Sequence, residues 1–67
     1  MSQIRYFVLP LQNRWTVRRD IRRIGAFGNE SEAIAIAVEL ASVDRHRGHV
    51  VQVLRQDSDG RWDPCAM

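Results

Sequence analysis

The side chains with the clearest chemistry in this sequence are arginines concentrated between positions 14 and 23. Four of the six residues from Arg18 to Arg23 are arginine, and Arg14 precedes them. A guanidinium group presents a planar fork of N–H donors that matches phosphate and carboxylate oxygens. Guanidinium groups in a cluster also raise the local potential, which attracts polyanions. The candidate anion- or nucleic-acid-binding residues are Arg14, Arg18, Arg19, Arg22 and Arg23.

Three interpretations of this arginine cluster stay open. The charges can protect a strand edge from edge-to-edge aggregation, they can contact an acidic protein surface, or they can bind nucleic acid as an arginine-bearing β-ribbon does. All ten basic residues are arginine, which fits either a GC-rich coding genome or phosphate recognition. An isoelectric point near 9.5 favours nucleic acid, whereas a net charge of only +2 weakens that argument.

Charge is distributed unevenly along the chain. The first 27 residues carry six arginines and one acid, whereas residues 28–44 carry four acids and no arginine. One end of the domain is therefore basic, and its helix is acidic. Such a distribution favours contact with a partner of opposite charge, including a second copy of the chain.

Residues suited to catalysis or metal binding are scattered. Cys65 has no base near it in the sequence to activate its thiol, and it is interpreted as a tail residue. His46 and His49 lack further ligands at the spacing of a zinc site. The segment 57–60 is interpreted as a tight turn, because no glutamate follows to complete a calcium loop. We therefore expect no enzymatic activity, no catalytic residues, no metal and no cofactor.

Short strands are predicted to position the arginines. Runs of β-branched and aromatic residues predict strands at Ile4–Leu9, Arg14–Arg19 and Arg22–Phe27. In the first of them, the period of two places Ile4, Tyr6 and Val8 on one face. A further strand is predicted at His49–Arg55, and a last short one starts at Arg61-Trp62.

Alternation in the second strand divides its side chains between two faces. Trp15 and Val17 are predicted to point inward. The residues predicted to point outward are Arg14, Thr16 and Arg18. Both Trp15 and Trp62 are expected to pack in or against the core rather than to stack on bases.

One helix is predicted from Glu30 to about Asp44. Asn29 supplies a side-chain cap, and Glu32 completes the pattern of a capping box. The apolar arc of this helix covers about 220° at 100° per residue, which is wider than one sheet requires. Loops, a curved sheet or a second subunit could cover the excess, and we expect a homodimer. Its candidate dimer face consists of Ile34, Val38 and Ala41. A separate stripe, predicted to face solvent, consists of Glu32, Ala35, Glu39 and Ser42.

These elements define the expected fold. The prediction is a single α+β domain over residues 1–67, in which one helix packs on a face of a small antiparallel sheet of four to five strands. The element order is β-β-β-α-β-β.

The same pattern resembles a small bacterial family called domain of unknown function 2188. The resemblance covers nearly the whole chain, but its motifs are short and structural. Members often carry Thr at the helix cap and Lys after the tryptophan element, where this chain has Asn29 and Arg18. The resemblance implies a compact α+β fold in a bacterial cytoplasm and implies no activity. The matching segments are 6–10, 15–17, 27–37, 50–55 and 59–61.

Localisation and function are expected from these features together. The longest apolar stretch, Ala33–Val38, is too short to span a membrane. The segment Met1–Arg5 lacks the features of a signal peptide, and a lone Cys65 favours the cytoplasm. We expect a non-enzymatic protein-interaction or accessory module. The alternative is a nucleic-acid-binding protein that uses the segment 14–23.

Overall fold

A computed structural model describes residues 3–65 of the chain as one helix packed on a five-stranded sheet. The predicted α+β class and the order β-β-β-α-β-β are confirmed. Residues 1, 2, 66 and 67 lie outside the description. The first two belong to the segment 1–5, for which the sequence predicted no signal peptide. The elements are β1 (Gln3–Leu11), β2 (Arg14–Arg19), β3 (Arg22–Phe27), α1 (Glu30–His46), β4 (Val50–Gln56) and β5 (Trp62–Pro64).

The sheet is mixed, with the strand order β3-β2-β1-β4-β5. Three neighbouring pairs are antiparallel, as predicted, but the central pair of β1 and β4 is parallel. The predicted all-antiparallel sheet is therefore wrong at this pair. The helix carries the chain from the end of β3 back across the sheet to the end at which β1 starts, so β4 runs in the direction of β1.

Two tight turns connect the first three strands. Gln12 and Asn13 join β1 to β2, and both have the positive φ values, 52° and 64°, of a type I′ hairpin turn. At the next turn Asp20 has a φ of 54°. Its carboxylate accepts a hydrogen bond from the backbone N–H of Arg5 at 3.0 Å, and its own N–H donates to the Arg5 carbonyl at 2.7 Å. The β2–β3 turn is thereby fixed to the start of β1.

The core lies between the sheet and α1. Alternate residues of the central strands face the helix, and the helix offers a stripe of alanines, which let its backbone approach the sheet closely. The prediction that Ile4, Tyr6 and Val8 share one face of β1 is confirmed, and this face is the buried one. The buried apolar residues are Ile4, Tyr6, Val8, Val17, Val51 and Val53 from the sheet and Ala33, Ala37 and Ala41 from the helix.

The helix begins as predicted and ends slightly later. The side-chain oxygen of Asn29 accepts a hydrogen bond from the N–H of Glu32 at 2.8 Å, which satisfies a free donor of the first turn. The helix runs two residues beyond the predicted end at Asp44, to His46. Gly48 follows in the left-handed region, at a φ of 91°, where glycine commonly ends a helix. All four residues of the predicted solvent stripe are exposed.

Close packing of the alanine stripe gives a stability prediction. Ala37 is fully buried, so Ala37→Leu should lower the free energy of unfolding by about 1–3 kcal/mol, because no space exists for the larger side chain. Ala35→Leu makes the same chemical change on the exposed side of the helix and should change it by less than about 0.5 kcal/mol. Urea unfolding monitored by circular dichroism measures both. Equal losses would contradict this packing.

Candidate functional site

The arginines of the β2–β3 hairpin divide between the two faces of the sheet. We call the face that packs on α1 the helix face, and the opposite face, which carries Phe7 and Leu9, the open face. Cross-strand pairing places Arg18 opposite Arg23 and Arg19 opposite Arg22. Alternation along β2 places Arg18 on the open face and Arg19 on the helix face. A β-bulge shifts the register between Val17 and Arg18 and interrupts the alternation of β3, so Arg23 and Arg22 take the faces of the β2 residues with which they pair. Arg14 shares the open face with Arg18.

Arg19 belongs to a buried network on the helix face. Its Nε lies 3.2 Å from Oδ2 of Asp44, and the hydroxyl of Tyr6 donates to the same oxygen at 2.5 Å. Asp44 is 6% exposed, and its two partners satisfy a carboxylate that the helix buries against the sheet. Arg19 is therefore occupied within the fold, which separates it from the other four predicted binding residues.

The network shifts the pKa values of its members. Burial raises the pKa of the Asp44 carboxyl, but the hydrogen bonds from Tyr6 and Arg19 outweigh burial, and the net shift is downward. Burial, together with the hydrogen bond to Asp44, raises the pKa of Tyr6 to about 12. Asp44 is thus held ionised and Tyr6 is held protonated across the neutral range.

A cleft of about 420 Å³ beside this network holds Arg22, the other predicted residue on the helix face. Tyr6, Arg19 and Asp44 line the same cleft, together with Arg47 at the end of α1. Its remaining lining is apolar and comes from Ile24, Leu40 and Val43. Arg22 is therefore separated by the thickness of the sheet from the arginines of the open face.

A row of side chains crosses the open face in register. Arg23 pairs with Arg18, Arg18 with Phe7, and Phe7 with Leu54, so four neighbouring strands contribute one residue each. Neighbouring strands lie about 4.8 Å apart. The row therefore begins with two cations at the β3 edge and continues into apolar side chains at the centre of the sheet.

An aromatic pair stands next to these arginines. The rings of Phe7 and Trp62 meet edge to face, with centroids 5.3 Å apart and an interplanar angle of 72°. Trp62 is 42% exposed. The two rings line a shallow depression of about 180 Å³ together with Leu9, Arg18 and Asp20. Aromatic and cationic groups therefore lie in one continuous, solvent-accessible area.

The two tryptophans have different fates. Trp15 is partly buried against the core on the helix face, which confirms its prediction. Trp62 does not pack against the core as expected. It lies on β5, pairs with Gln56 of β4 and points to the open face. Thr16 lies on the open face as predicted, yet it is 4% exposed between Leu9 and Ala26 of the adjacent strands.

The pairing of Arg18 with Arg23 is electrostatically unfavourable, since like charges directly opposite each other destabilise a sheet. On the helix face, Arg19 of the equivalent pair is neutralised by Asp44. Neither arginine of the open-face pair forms an ion pair with an acidic side chain of residues 3–65, although Asp20 lines the depression beside Arg18. This pair is one group of exposed cations, and Arg22 and Arg47 form a second group in the cleft on the helix face.

The predicted dimer face is largely covered by the chain's own sheet. Ala41 is fully buried and Ile34 packs against the core, while Val38 is partly buried. The helix buries the centre of its apolar arc, so solvent reaches the edges of the arc instead. Ile36 and Val43 lie at these edges, and Val43 is 45% exposed.

Cys65 is part of the packed domain, so its interpretation as a tail residue is wrong. Its backbone N–H donates to the Val53 carbonyl at 2.7 Å, and its side chain packs against the core. Burial raises the pKa of its thiol, which disfavours the reactive thiolate. The described part of the chain contains no group of three or more residues that could hold a metal ion. No helix found there is long and apolar enough to cross a membrane.

No protein-family model, curated protein or solved structure matches this chain. The resemblance to domain of unknown function 2188 therefore stays a prediction from short sequence motifs. Any function has to be argued from the chemistry of the surfaces described above.

The Tyr6–Asp44 hydrogen bond gives a prediction for titration, and Tyr6 is the sole tyrosine of the chain. Absorbance of tyrosinate should show Tyr6 ionising near pH 12. Because the folded state favours protonated Tyr6, its contribution to stability is complete below pH 10 and is lost as the pH rises toward 12. In Asp44→Asn the pKa of Tyr6 should fall but stay above 10, since burial is the largest cause of the shift. An unchanged pKa in this variant would contradict the network.

Proposed function

We propose that this domain is a non-enzymatic binding module of the bacterial cytoplasm that binds a polyanionic partner through its open face. The observation that carries this proposal is the Arg18–Arg23 pair, two exposed guanidinium groups that face each other across neighbouring strands without an acidic partner in the described chain. A cytoplasmic location is supported by the single cysteine, Cys65.

An anion bound between these arginines would remove their mutual repulsion. Each guanidinium can donate two parallel hydrogen bonds to phosphate or carboxylate oxygens. The pairing of β2 with β3 already holds the backbones of the two arginines opposite each other, so binding does not have to bring them together. This is the physical reason why the pair favours a ligand over a purely protective edge.

The rest of the open face extends the same charge. Arg5 and Arg14 are exposed on this side of the sheet, on β1 and β2. The exposed stripe of α1, on the other side of the domain, carries Glu32 and Glu39. The open face is therefore basic, whereas the helix side carries both these acids and the arginines of the cleft, Arg22 and Arg47.

Removing the cationic pair should weaken polyanion binding. In Arg18→Gln/Arg23→Gln, the slope of log affinity against log salt should fall by about two, one for each lost phosphate contact. The control Arg22→Gln/Arg47→Gln removes the same charge from the cleft on the helix face and should leave most of the affinity intact. Salt-dependent anisotropy with a labelled oligonucleotide of about twelve nucleotides, and salt elution from heparin, measure both variants.

The outcome is separable from unfolding. Relief of like-charge repulsion should leave the free energy of unfolding of Arg18→Gln/Arg23→Gln unchanged or raise it by a few tenths of a kcal/mol. Equal weakening by both double variants would show that net charge, rather than the open face, determines binding. If the wild-type domain binds neither the oligonucleotide nor heparin at low salt, the proposal is overturned.

A protein partner, including a second copy of the chain, is the other candidate function. The observation that favours it is an apolar depression of about 380 Å³ beside the helix, lined by Phe27, Glu32, Ala35 and Ile36. Burial of this depression would cover an edge of the apolar arc that the chain's own sheet leaves in solvent. The proposed contact therefore lies at the edge of the apolar arc, whereas the sequence-based face of Ile34, Val38 and Ala41 lies at its centre.

Self-association gives a direct test of this second candidate. At high micromolar concentration, light scattering should give twice the chain mass of 7.8 kDa. Ile36→Glu should restore the monomer, because it places a charge in the apolar depression. Ser42→Glu adds the same charge on the exposed stripe and should not change the mass. A monomeric wild-type chain would exclude the homodimer.

A further inference from the structure

We infer that the open face binds single-stranded nucleic acid, with unpaired bases stacked on Phe7 and Trp62 and the adjoining phosphates held by Arg18 and Arg23. This inference rests on the proposed binding of polyanions by the same face, and it names the ligand class. Its new element is the aromatic pair, which a ligand that carries only negative charge would leave unused.

The accessibility of the aromatic rings supports base stacking. In an edge-to-face pair the edge of one ring contacts one face of the other, so the partner covers less π surface than it would in a stacked pair. Trp62 is 42% exposed, and its neighbour Phe7 is partly exposed at the centre of the sheet. When a flat base covers exposed aromatic rings, apolar surface is removed from water and the base gains stacking contacts.

The positions of the arginines match a base on the aromatic pair. Arg18 is the direct cross-strand partner of Phe7, and Arg23 lies one strand further. At the usual spacing of strands, these residues stand about 5 and 10 Å from Phe7 across the sheet. A strand whose base covers Phe7 or Trp62 can therefore place its backbone over β2 and β3, where the two free cations lie.

The geometry favours an unpaired strand over a duplex. Stacking on a protein ring needs the face of a base, and these faces are covered in a double helix. The depression beside the rings is open to solvent rather than enclosed, so it does not surround a base and contact all of its edges. Binding should consequently depend weakly on sequence, as is typical of stacking surfaces.

The test uses three labelled probes of equal length at one salt concentration: oligothymidylate, the same strand made of abasic sites, and a duplex. We expect oligothymidylate to bind at least about tenfold more tightly than the abasic strand, and more tightly than the duplex. In a Trp15→Phe background, Trp62 is the sole tryptophan. Its fluorescence should be quenched by oligothymidylate and unaffected by the abasic strand.

Ring-removing and ring-keeping variants separate stacking from folding. Phe7→Leu and Trp62→Leu should each weaken binding of oligothymidylate by at least about fivefold, while affinity for the abasic strand is unchanged. Phe7→Tyr and Trp62→Phe keep an aromatic ring and should retain most of the affinity. The abasic strand also monitors folding, because a misfolded variant would lose its phosphate contacts too.

Each outcome bears on a stated claim. Equal affinity for oligothymidylate and the abasic strand, or tighter binding of the duplex, would overturn base stacking and leave the proposed polyanion binding intact. Failure of all three probes to bind would overturn both. Tight binding of oligothymidylate that survives loss of both rings would place the bases elsewhere and overturn this inference alone.

Discussion

A single helix can cover only one face of this five-stranded sheet, and most features of the domain follow from that constraint. Burial of apolar side chains is concentrated between α1 and the helix face, where alanines let the two layers approach closely. The open face has no second layer in the described chain, yet it carries Phe7, Leu9, Leu54 and Trp62 beside arginines. The open face therefore combines exposed apolar area with positive charge, and this combination is the basis of the proposed binding.

The Tyr6–Asp44–Arg19 network gives Arg19 a structural role within the β2–β3 hairpin. Asp44 approaches the sheet near the end of α1, where its burial would be unfavourable without two donors. Arg19 supplies one of them and thereby joins β2 to the helix. The next residue toward the N-terminus, Arg18, points to the opposite face by simple alternation. Arg18 and Arg19 therefore lie in different environments, although no property of the isolated segment distinguishes them.

Local signals in the sequence predicted most elements, whereas long-range geometry did not follow from them. The strands β2 and β3 and the Asn29 cap were predicted because alternation and capping depend on near neighbours. The parallel pairing of β4 was missed, since it depends on where the helix returns the chain. Trp62 was misplaced because a strand of three residues carries too little alternation to fix its face. The burial of Ala41 in the core could not be predicted either, because the width of an apolar arc does not tell which part of it meets the sheet.

The two arginine pairs also bear on the origin of the arginine-only composition. A coding bias would supply arginine at any exposed position, and exposed single arginines need no further explanation. Direct cross-strand pairing is different, because a neutral residue at either position would avoid the repulsion between like charges. One of the two pairs has a structural remedy in Asp44, and the other has none in residues 3–65. The arginines of this second pair lie next to the exposed rings. The open face therefore carries both charges without an acidic partner and apolar area exposed to solvent. A ligand that carries phosphates and flat bases satisfies both needs at once, which a simple anion or a simple apolar patch does not.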